Sequence, residues 1–240
     1  MCNLYRPPTR VDISQRWRPH MTSPPLEWGS RGPNQRAPFL RPNADGKLEL
    51  VEARWGLVPG FHKGPLKDWT AQTNNARWEG AQKEGPAFRP TFAPSWRNSE
   101  RCLIPVDWFS EPNWESGRPV AWKFQAVDAK PFSLAGLWHT WHGPDGELVE
   151  TYTMIMINAN AHPLMGRMHA PERDKRGNIL PLHLQDKRMA VVIDAANEDT
   201  WLRGSKPEAA ALIRHWPAAI MQDEPMPQIV NGDPYTMDLF

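Results

Sequence analysis

Cys2 follows the initiator methionine directly, in the run Met1-Cys2-Asn3-Leu4-Tyr5. A small second residue usually permits removal of that methionine, so we expect a mature chain that begins with cysteine and carries a free α-amino group. This residue then holds an amine with a pKa near ~8 and a thiol with a pKa near ~8.5 on adjacent carbons. Such a 1,2-aminothiol can attack an amide, with its own amine as base, or condense with an aldehyde into a thiazolidine ring. The alternative is an unremarkable residue on a frayed terminus.

Four further segments carry residues suited to such chemistry. They read ARWGLVPG at residues 53–60, TNNAR at 73–77, RCLIPVDWFSE at 101–111 and AHPLMGRMH at 161–169. Together with the Met-Cys start, their order and spacing resemble the SRAP family, the SOS response-associated peptidase-like proteins. The resemblance covers roughly residues 2–202. It implies a protein of the DNA damage response that crosslinks covalently to abasic sites in single-stranded DNA through its N-terminal cysteine.

The resemblance also implies a role for each catalytic candidate. The amine of Cys2 adds to the ring-opened aldehyde of the abasic deoxyribose, and the thiol then closes the thiazolidine. Glu111 matches the family's glutamate and would move protons at the amine, while His169 matches its histidine and would protonate the sugar oxygen. Asn75 is a neutral donor and acceptor that can orient the sugar oxygen or the amine. His162 competes with His169 for the role of the histidine.

Six residues outside the catalytic set are predicted to contact DNA. Arg77 would share one strand face with Asn75 and reach a phosphate. After the Pro-Gly at 59–60, the family often places aromatic residues that stack beside the lesion. The predicted contacts are Arg77, Asn158, Phe61, Arg6, Trp69 and Arg176.

Two of these assignments follow from departures from the family pattern. Asn3-Leu4 stands where the family often has Gly-Arg, so Arg6 would substitute for a missing phosphate contact. The family's His-Asp-Arg-Met-Pro block is interrupted after His169 by an insertion that displaces the Asp-Arg pair. Either Arg173 or Arg176 would take over that role, and the sequence leaves the choice open.

Two other classes of function are compatible with Cys2. One is an N-terminal-nucleophile amidohydrolase acting on a small amide, and the other is a module that only binds single-stranded DNA. The five-block match favours crosslinking, with possible strand cleavage and self-reversal. Any peptidase activity would be limited to the protein's own N-terminus, because no Ser/His/Asp or HExxH signal indicates a general protease.

The composition further limits the class of protein to which this chain can belong. Cys2 and Cys102 are the only cysteines and form no CxxC pair, so neither a disulfide framework, a metal site nor a cofactor is predicted. No apolar run of ~18 residues and no hydrophobic leader core is present, so we expect a cytoplasmic protein without a membrane contact, and a monomer. Residues 1–41 hold seven Arg and no Lys, a bias that fits phosphate and base contacts.

The predicted elements are short, because 26 prolines are spread along the chain. Strands are expected at 120–124, 131–141, 151–157 and 188–194, with a tight turn at 142–146. Helices are expected at 12–17 and 197–202, and at 207–216 with Ser205 as the N-cap. This pattern predicts an α+β fold, a single, mainly antiparallel β domain over residues 1–240 with a few short helices. Residues 217–240 are expected to form a tail that wraps the surface.

Overall fold

The computed structural model describes residues 2–21, 28–78 and 88–227. Over these ranges the chain forms mostly β-strands with a few short helices, which confirms the predicted α+β, mainly antiparallel fold. The strands are β1 Leu4–Arg6, β2 His20–Met21, β3 Arg36–Pro42, β4 Leu48–Trp55, β5 Asn75–Arg77, β6 Arg101–Val106, β7 Trp108–Asn113, β8 Val120–Ala126, β9 Phe132–His142, β10 Leu148–Asn158, β11 Arg188–Ala190, β12 Val192–Ile193 and β13 Met221–Pro225. The α-helices are α1 Arg10–Trp17, α2 Ala93–Arg97, α3 Glu198–Arg203 and α4 Lys206–Ala211.

Five strands close into a small barrel. Strands β10, β4, β3, β6 and β9 pair in that order, and the antiparallel pairing of β9 with β10 closes the ring. The pairing of β10 with β4 is parallel and the other four are antiparallel. Closure pairs the strand edges that an open sheet would leave exposed. Large aromatic side chains fill the core, with Trp55, Phe39 and Tyr152 fully buried.

A second sheet orders β1, β7, β8 and β13, all antiparallel. In the pairing of β1 with β7, Leu4 lies opposite Ser110 and Arg6 opposite Trp108. Because the two strands run in opposite directions, the residues just before Leu4 lie beside those just after Ser110. The register therefore brings Cys2 next to Glu111, although more than a hundred residues separate them in the chain.

At one end of the barrel, β10 pairs with two short strands, one on each side. Strand β5 runs parallel to it, with Asn75 opposite Met154, and β11 runs antiparallel, with Arg188 opposite Asn158. The predicted strand at 188–194 is split: β11 pairs with β10, whereas β12 pairs with β9. The Asn-Ala-Arg segment and the chain that follows the His169 segment therefore meet at this end of the barrel.

Helices α1, α3 and α4 begin within two residues of the predicted starts, whereas α2 was not predicted. The hydroxyl of Thr9 caps α1 by accepting from the Asp12 backbone N–H at 3.2 Å, and Ser205 forms a capping box with Glu208 at α4. The predicted end of α4 at 216 was wrong, because the helix ends at Ala211. Trp216 precedes a proline, which disfavours helical geometry, and its ring stacks on Phe132.

The C-terminal segment is only partly described. Strand β13 pairs with β8 along its full length, from Met221 opposite Ala126 to Pro225 opposite Trp122. Residues 228–240 lie outside the described ranges, so the wrapping of the tail stays a prediction. Within the described ranges no helix has the length and apolarity needed to cross a bilayer.

Candidate active site

Cys2 is fully buried, and hydrogen bonds to its backbone carbonyl hold it in place. Its carbonyl oxygen accepts hydrogen bonds from the side-chain amides of Asn75, at 2.8 Å, and Asn74, at 3.2 Å. Its thiol lies 3.6 Å from the carbonyl of Leu4, as a weak donor. The two amide contacts argue against a frayed terminus, because both would be lost if the N-terminal segment moved away.

The two asparagines are themselves fixed by the barrel. Asn75 begins β5 and is buried, and its Oδ1 has no hydrogen-bond partner among the described residues. That oxygen is an acceptor available to an amine or a sugar hydroxyl. The carbonyl of Asn74 accepts from the Trp55 indole at 2.9 Å and from the Met154 backbone at 3.0 Å. Sequence analysis missed Asn74, although the Asn-Asn doublet was a visible signal.

Glu111 and His169 form a close pair beside Cys2. The Glu111 Oε2 lies 2.7 Å from the His169 Nε2, and the Glu111 side chain is fully shielded from solvent. Burial raises the pKa of the Glu111 carboxyl, but neighbouring positive charge, that of His169 included, outweighs it and leaves the pKa below its ordinary value. The carboxylate therefore stays ionised in a buried position.

The backbone of His169 is held in an unusual conformation. Its φ is +62°, in the left-handed region that side-chain-bearing residues seldom adopt. Its N–H donates to the carbonyl of Pro112 at 2.7 Å, and Met168 forms a bridge with Asn113. The end of β7 thus positions both members of the Glu111–His169 pair.

The thiol of Cys2 is in a setting that keeps it protonated. Burial, followed by the negative charge of Glu111, raises the pKa of the Cys2 thiol well above its ordinary value. Burial also raises the pKa of Cys102, which lies in β6 inside the barrel. A thiol of this kind needs a neighbouring base before it can act as a nucleophile.

His162, the competing histidine, has a different environment. Its ring lies beside the carbonyl of Trp216 at 2.8 Å and accepts backbone N–H groups of Leu164 and Met165 at its Nδ1. Burial lowers the pKa of His162, which favours the neutral ring that these contacts require. All of these partners belong to the turn and the C-terminal segment, so His162 has a structural environment, whereas His169 contacts Glu111.

The predicted DNA contacts lie in several places. Arg77 forms an ion pair with Asp186 at 2.9 Å. Phe61 is 58 % exposed and meets Trp69 edge to face, with 6.0 Å between ring centroids. Arg6 is exposed at the end of β1.

Arg176 and Arg173 both lie in a turn of the insertion. The backbone N–H of Arg176 donates to the Asp174 carboxylate at 2.8 Å, and the Arg173 guanidinium donates to the Gly177 carbonyl at 2.7 Å. Arg188, which sequence analysis did not single out, instead binds Asp186 at 2.6 Å and so shares that carboxylate with Arg77.

A groove of about 980 Å³ opens beside β5, β10 and β11. Asn158 lies on its wall, as does Arg188, and the residues that form it include no Asp or Glu. Its two arginines each pair with a carboxylate from outside the lining, Arg188 with Asp186 at 2.6 Å and Arg214 with Asp194 at 3.5 Å, and Trp78 gives it an aromatic surface. It is lined by Trp78, Ile157, Asn158, Asn160, Ala161, Leu182, His183, Arg188, Ile213, Arg214 and His215.

The fold and these contacts define a β-barrel protein built around a buried cysteine at its second position. A family model described as SOS response associated peptidase (SRAP) matches residues 12–232. The chain therefore belongs to the SRAP family.

The chain is also similar in sequence to two abasic site processing proteins and in fold to two solved structures. The chain is 27 % identical over 196 residues to the abasic site processing protein YoqW of Bacillus subtilis, covering 79 % of this chain and 75 % of that protein. It is 28 % identical over 163 residues to the abasic site processing protein YobE of the same organism, covering 67 % and 61 %. A crystal structure of a Bordetella bronchiseptica protein is similar in fold, with a TM-score of 0.79, 24 % identity and coverage of 95 % and 100 %. A Bacteroides thetaiotaomicron protein gives a TM-score of 0.71 at 19 % identity, covering 94 % and 92 %.

Proposed function

We propose that this protein processes abasic sites in single-stranded DNA by forming a covalent thiazolidine between Cys2 and the aldehyde of the ring-opened sugar. The observation that carries the proposal is the position of Cys2, whose carbonyl is held by two buried amides beside the Glu111–His169 pair. The names of the relatives, abasic site processing proteins, point to the same substrate.

The first half of the reaction uses the amine. Removal of Met1 exposes the α-amino group of Cys2, and a proton from His169 to the ring oxygen helps the sugar to open to its aldehyde. The free amine adds to the aldehyde carbon to give a carbinolamine. Loss of its hydroxyl group as water, with a proton delivered from the Glu111–His169 pair, leaves a Schiff base.

The second half uses the thiol. Sulfur adds to the Schiff-base carbon, the carbon–nitrogen double bond becomes single, and the nitrogen gains a proton. Glu111 accepts the thiol proton, a step needed because burial keeps the thiol neutral. The net change is aldehyde plus aminothiol to thiazolidine plus one water. Running the steps backward releases the DNA, and elimination from the Schiff base would cleave the strand.

The DNA strand would run from the site along the end of the barrel formed by β5, β10 and β11. Arg77 and Arg188 would bind phosphates there, in competition with Asp186. Bases can stack on Trp78 in the groove, and the exposed pair Phe61 and Trp69 offers a second stacking surface. We expect binding by a monomer in the cytoplasm, and both of these points stay predictions.

The contacts of Cys2 disfavour the amidohydrolase alternative. An amidase needs hydrogen-bond donors directed at the oxyanion of its substrate. The two buried amides nearest Cys2 donate to its own carbonyl, and that of Asn74 also donates to the Asn3 side chain at 3.2 Å. These donors hold the cysteine in place.

The decisive experiment uses a fluorescent single-stranded oligonucleotide with one abasic site. We expect a denaturation-resistant adduct on a gel, with the mass of the protein lacking Met1 plus the DNA minus one water. A tetrahydrofuran analogue of the abasic site is the matched control, because it cannot open to an aldehyde and should give no adduct. Cys2→Ala and a chain with a blocked N-terminus should give none either. A stable adduct from the blocked chain would rule out the thiazolidine.

A further inference from the structure

His169 is separated from β11 by a long, largely exposed stretch. Residues 172–179 are all exposed, and within them Arg173 bridges to Ile179 around a turn. The chain returns to the barrel just before β11, where the Gln185 carbonyl accepts from the Asn160 side chain at 2.6 Å and Asp186 pairs with Arg77, and Lys187 follows. The covalent chain that follows His169 therefore gives the imidazole little support.

Lys187 makes a contact across this separation. Its ammonium donates to the carbonyl of His169 at 2.7 Å and to that of Ala170 at 3.3 Å. The backbone of Lys187 is fixed in turn, since its N–H donates to the Asn160 side chain at 2.9 Å and its carbonyl accepts from Ala159 at 2.7 Å. The side chain thus connects a rigid strand edge to the peptide group that carries the imidazole.

The position of Lys187 is unusual for a lysine. The residue is 7 % exposed, and burial lowers the pKa of its ammonium. Lysine is rarely buried unless its charge is used, because desolvation of an ammonium is costly. The backbone of His169 also needs support, since its φ of +62° is disfavoured for a residue with a side chain.

We propose that Lys187 is a positioning residue for His169, holding its backbone so that the imidazole stays on Glu111. The N–H of His169 is fixed by Pro112 on one side, and its carbonyl is fixed by Lys187 on the other. With both peptide groups held, the direction of the His169 Cα–Cβ bond is fixed, which keeps the imidazole within reach of Glu111. The consequence for catalysis rests on the proposed function, in which His169 acts as an acid.

The test is a double-mutant cycle on the rate of adduct formation. Lys187→Met keeps the length of the side chain and removes its donors, and it should slow formation roughly 10- to 100-fold, as displaced catalytic groups do. In a His169→Ala background the same change should have no further effect. Lys175→Met, an exposed lysine in the same stretch, is the matched control and should leave the rate unchanged.

Three results would overturn the role of Lys187. They are an unchanged rate in Lys187→Met, a loss equally large without His169, and a failure of Lys187→Arg, which keeps a cationic donor, to recover most of the rate. Should Lys187→Met not fold, Lys187→Gln provides the same comparison. Absence of any adduct from the wild-type chain would instead defeat the proposed function.

A measurement that does not depend on activity distinguishes failure of the Lys187 role from failure of the proposed function. Nitrogen NMR of the His169 ring reports its hydrogen bond to Glu111, and Lys187→Met should shift that signal towards the one seen in Glu111→Gln. An unmoved signal contradicts the positioning role even if no adduct forms.

Discussion

The Nε2 of His169 lies 2.7 Å from the Oε2 of Glu111, and the two residues are 58 positions apart in the chain. Strand β7 supplies both the carboxylate and the Pro112 carbonyl that holds the His169 backbone. The same strand pairs with β1 and so positions Cys2 beside the pair. Strand β7 thus brings together the three side chains that the proposed proton transfers require.

Replacing Glu111 should affect both directions of the reaction. Glu111→Gln keeps the shape and removes the base, so we expect formation and reversal of the adduct each to slow by on the order of 10²–10⁴. A time course followed by transfer to a competing abasic oligonucleotide measures both phases. A variant that matches wild type in both phases would show that Glu111 has no role in proton transfer.

The two histidines should separate in the same assay. His169→Ala should slow adduct formation, because it removes the acid at the sugar oxygen. His162→Ala should instead lower the free energy of unfolding by about 1–3 kcal/mol, since it leaves buried backbone groups without their partner. Thermal unfolding and the gel assay together give both quantities. The reverse pattern would assign the catalytic role to His162.

The thiol of Cys2 should respond to the charge of Glu111. Removing that charge in Glu111→Gln lowers the pKa of the thiol, so more thiolate exists at pH ~8 and alkylation should accelerate. Cys102 is the internal control, since Glu111 is not among the charges that act on it. Peptide mass analysis after timed iodoacetamide treatment distinguishes the two cysteines. Equal acceleration at both would indicate loosening of the fold.

Acid should weaken the fold through Glu111. The pKa of this carboxyl is lowered in the folded state, so its contribution to stability is fully present above its unfolded pKa and is lost as pH falls through the folded value. The difference in Tm between wild type and Glu111→Gln should therefore shrink on acidification below pH ~4. Glu147→Gln, at an exposed position, serves as control. A Tm difference that stays constant with pH would contradict the lowered pKa of Glu111.

Arginines at the end of the barrel formed by β5, β10 and β11 should contribute part of the free energy of DNA binding. Arg77→Ala should weaken binding to an intact single strand and reduce the log–log salt slope by ~0.7, one phosphate's worth. Asp186→Asn should strengthen binding, because it removes the anion that both Arg77 and Arg188 bind. The sequence predicts a DNA contact at Arg176, whereas Arg188 lines the groove. Comparing the affinities of Arg176→Ala and Arg188→Ala tests which of the two arginines contributes to binding. An unchanged slope in Arg77→Ala would assign that residue to packing.

The amino-acid sequence by itself determined the chemistry available and part of the secondary structure, namely β8 to β12 and three of the four α-helices in the described residues. The family was indicated by Cys2 next to Met1, the Asn-Ala-Arg segment and the blocks that hold Glu111 and His169, and it is confirmed. Strands such as β9 and β10 were predictable because composition and turn residues are local signals. The capped start of α4 was predictable for the same reason.

Tertiary structure decided which residues meet. The register of β1 on β7 places Cys2 beside Glu111, and no local pattern specifies that pairing. Likewise only the fold shows that Lys187 reaches back to His169, or that Arg188 shares Asp186 with Arg77. Such contacts join residues far apart in sequence through strand pairing and loop closure, whereas propensity and periodicity act over a few neighbouring residues.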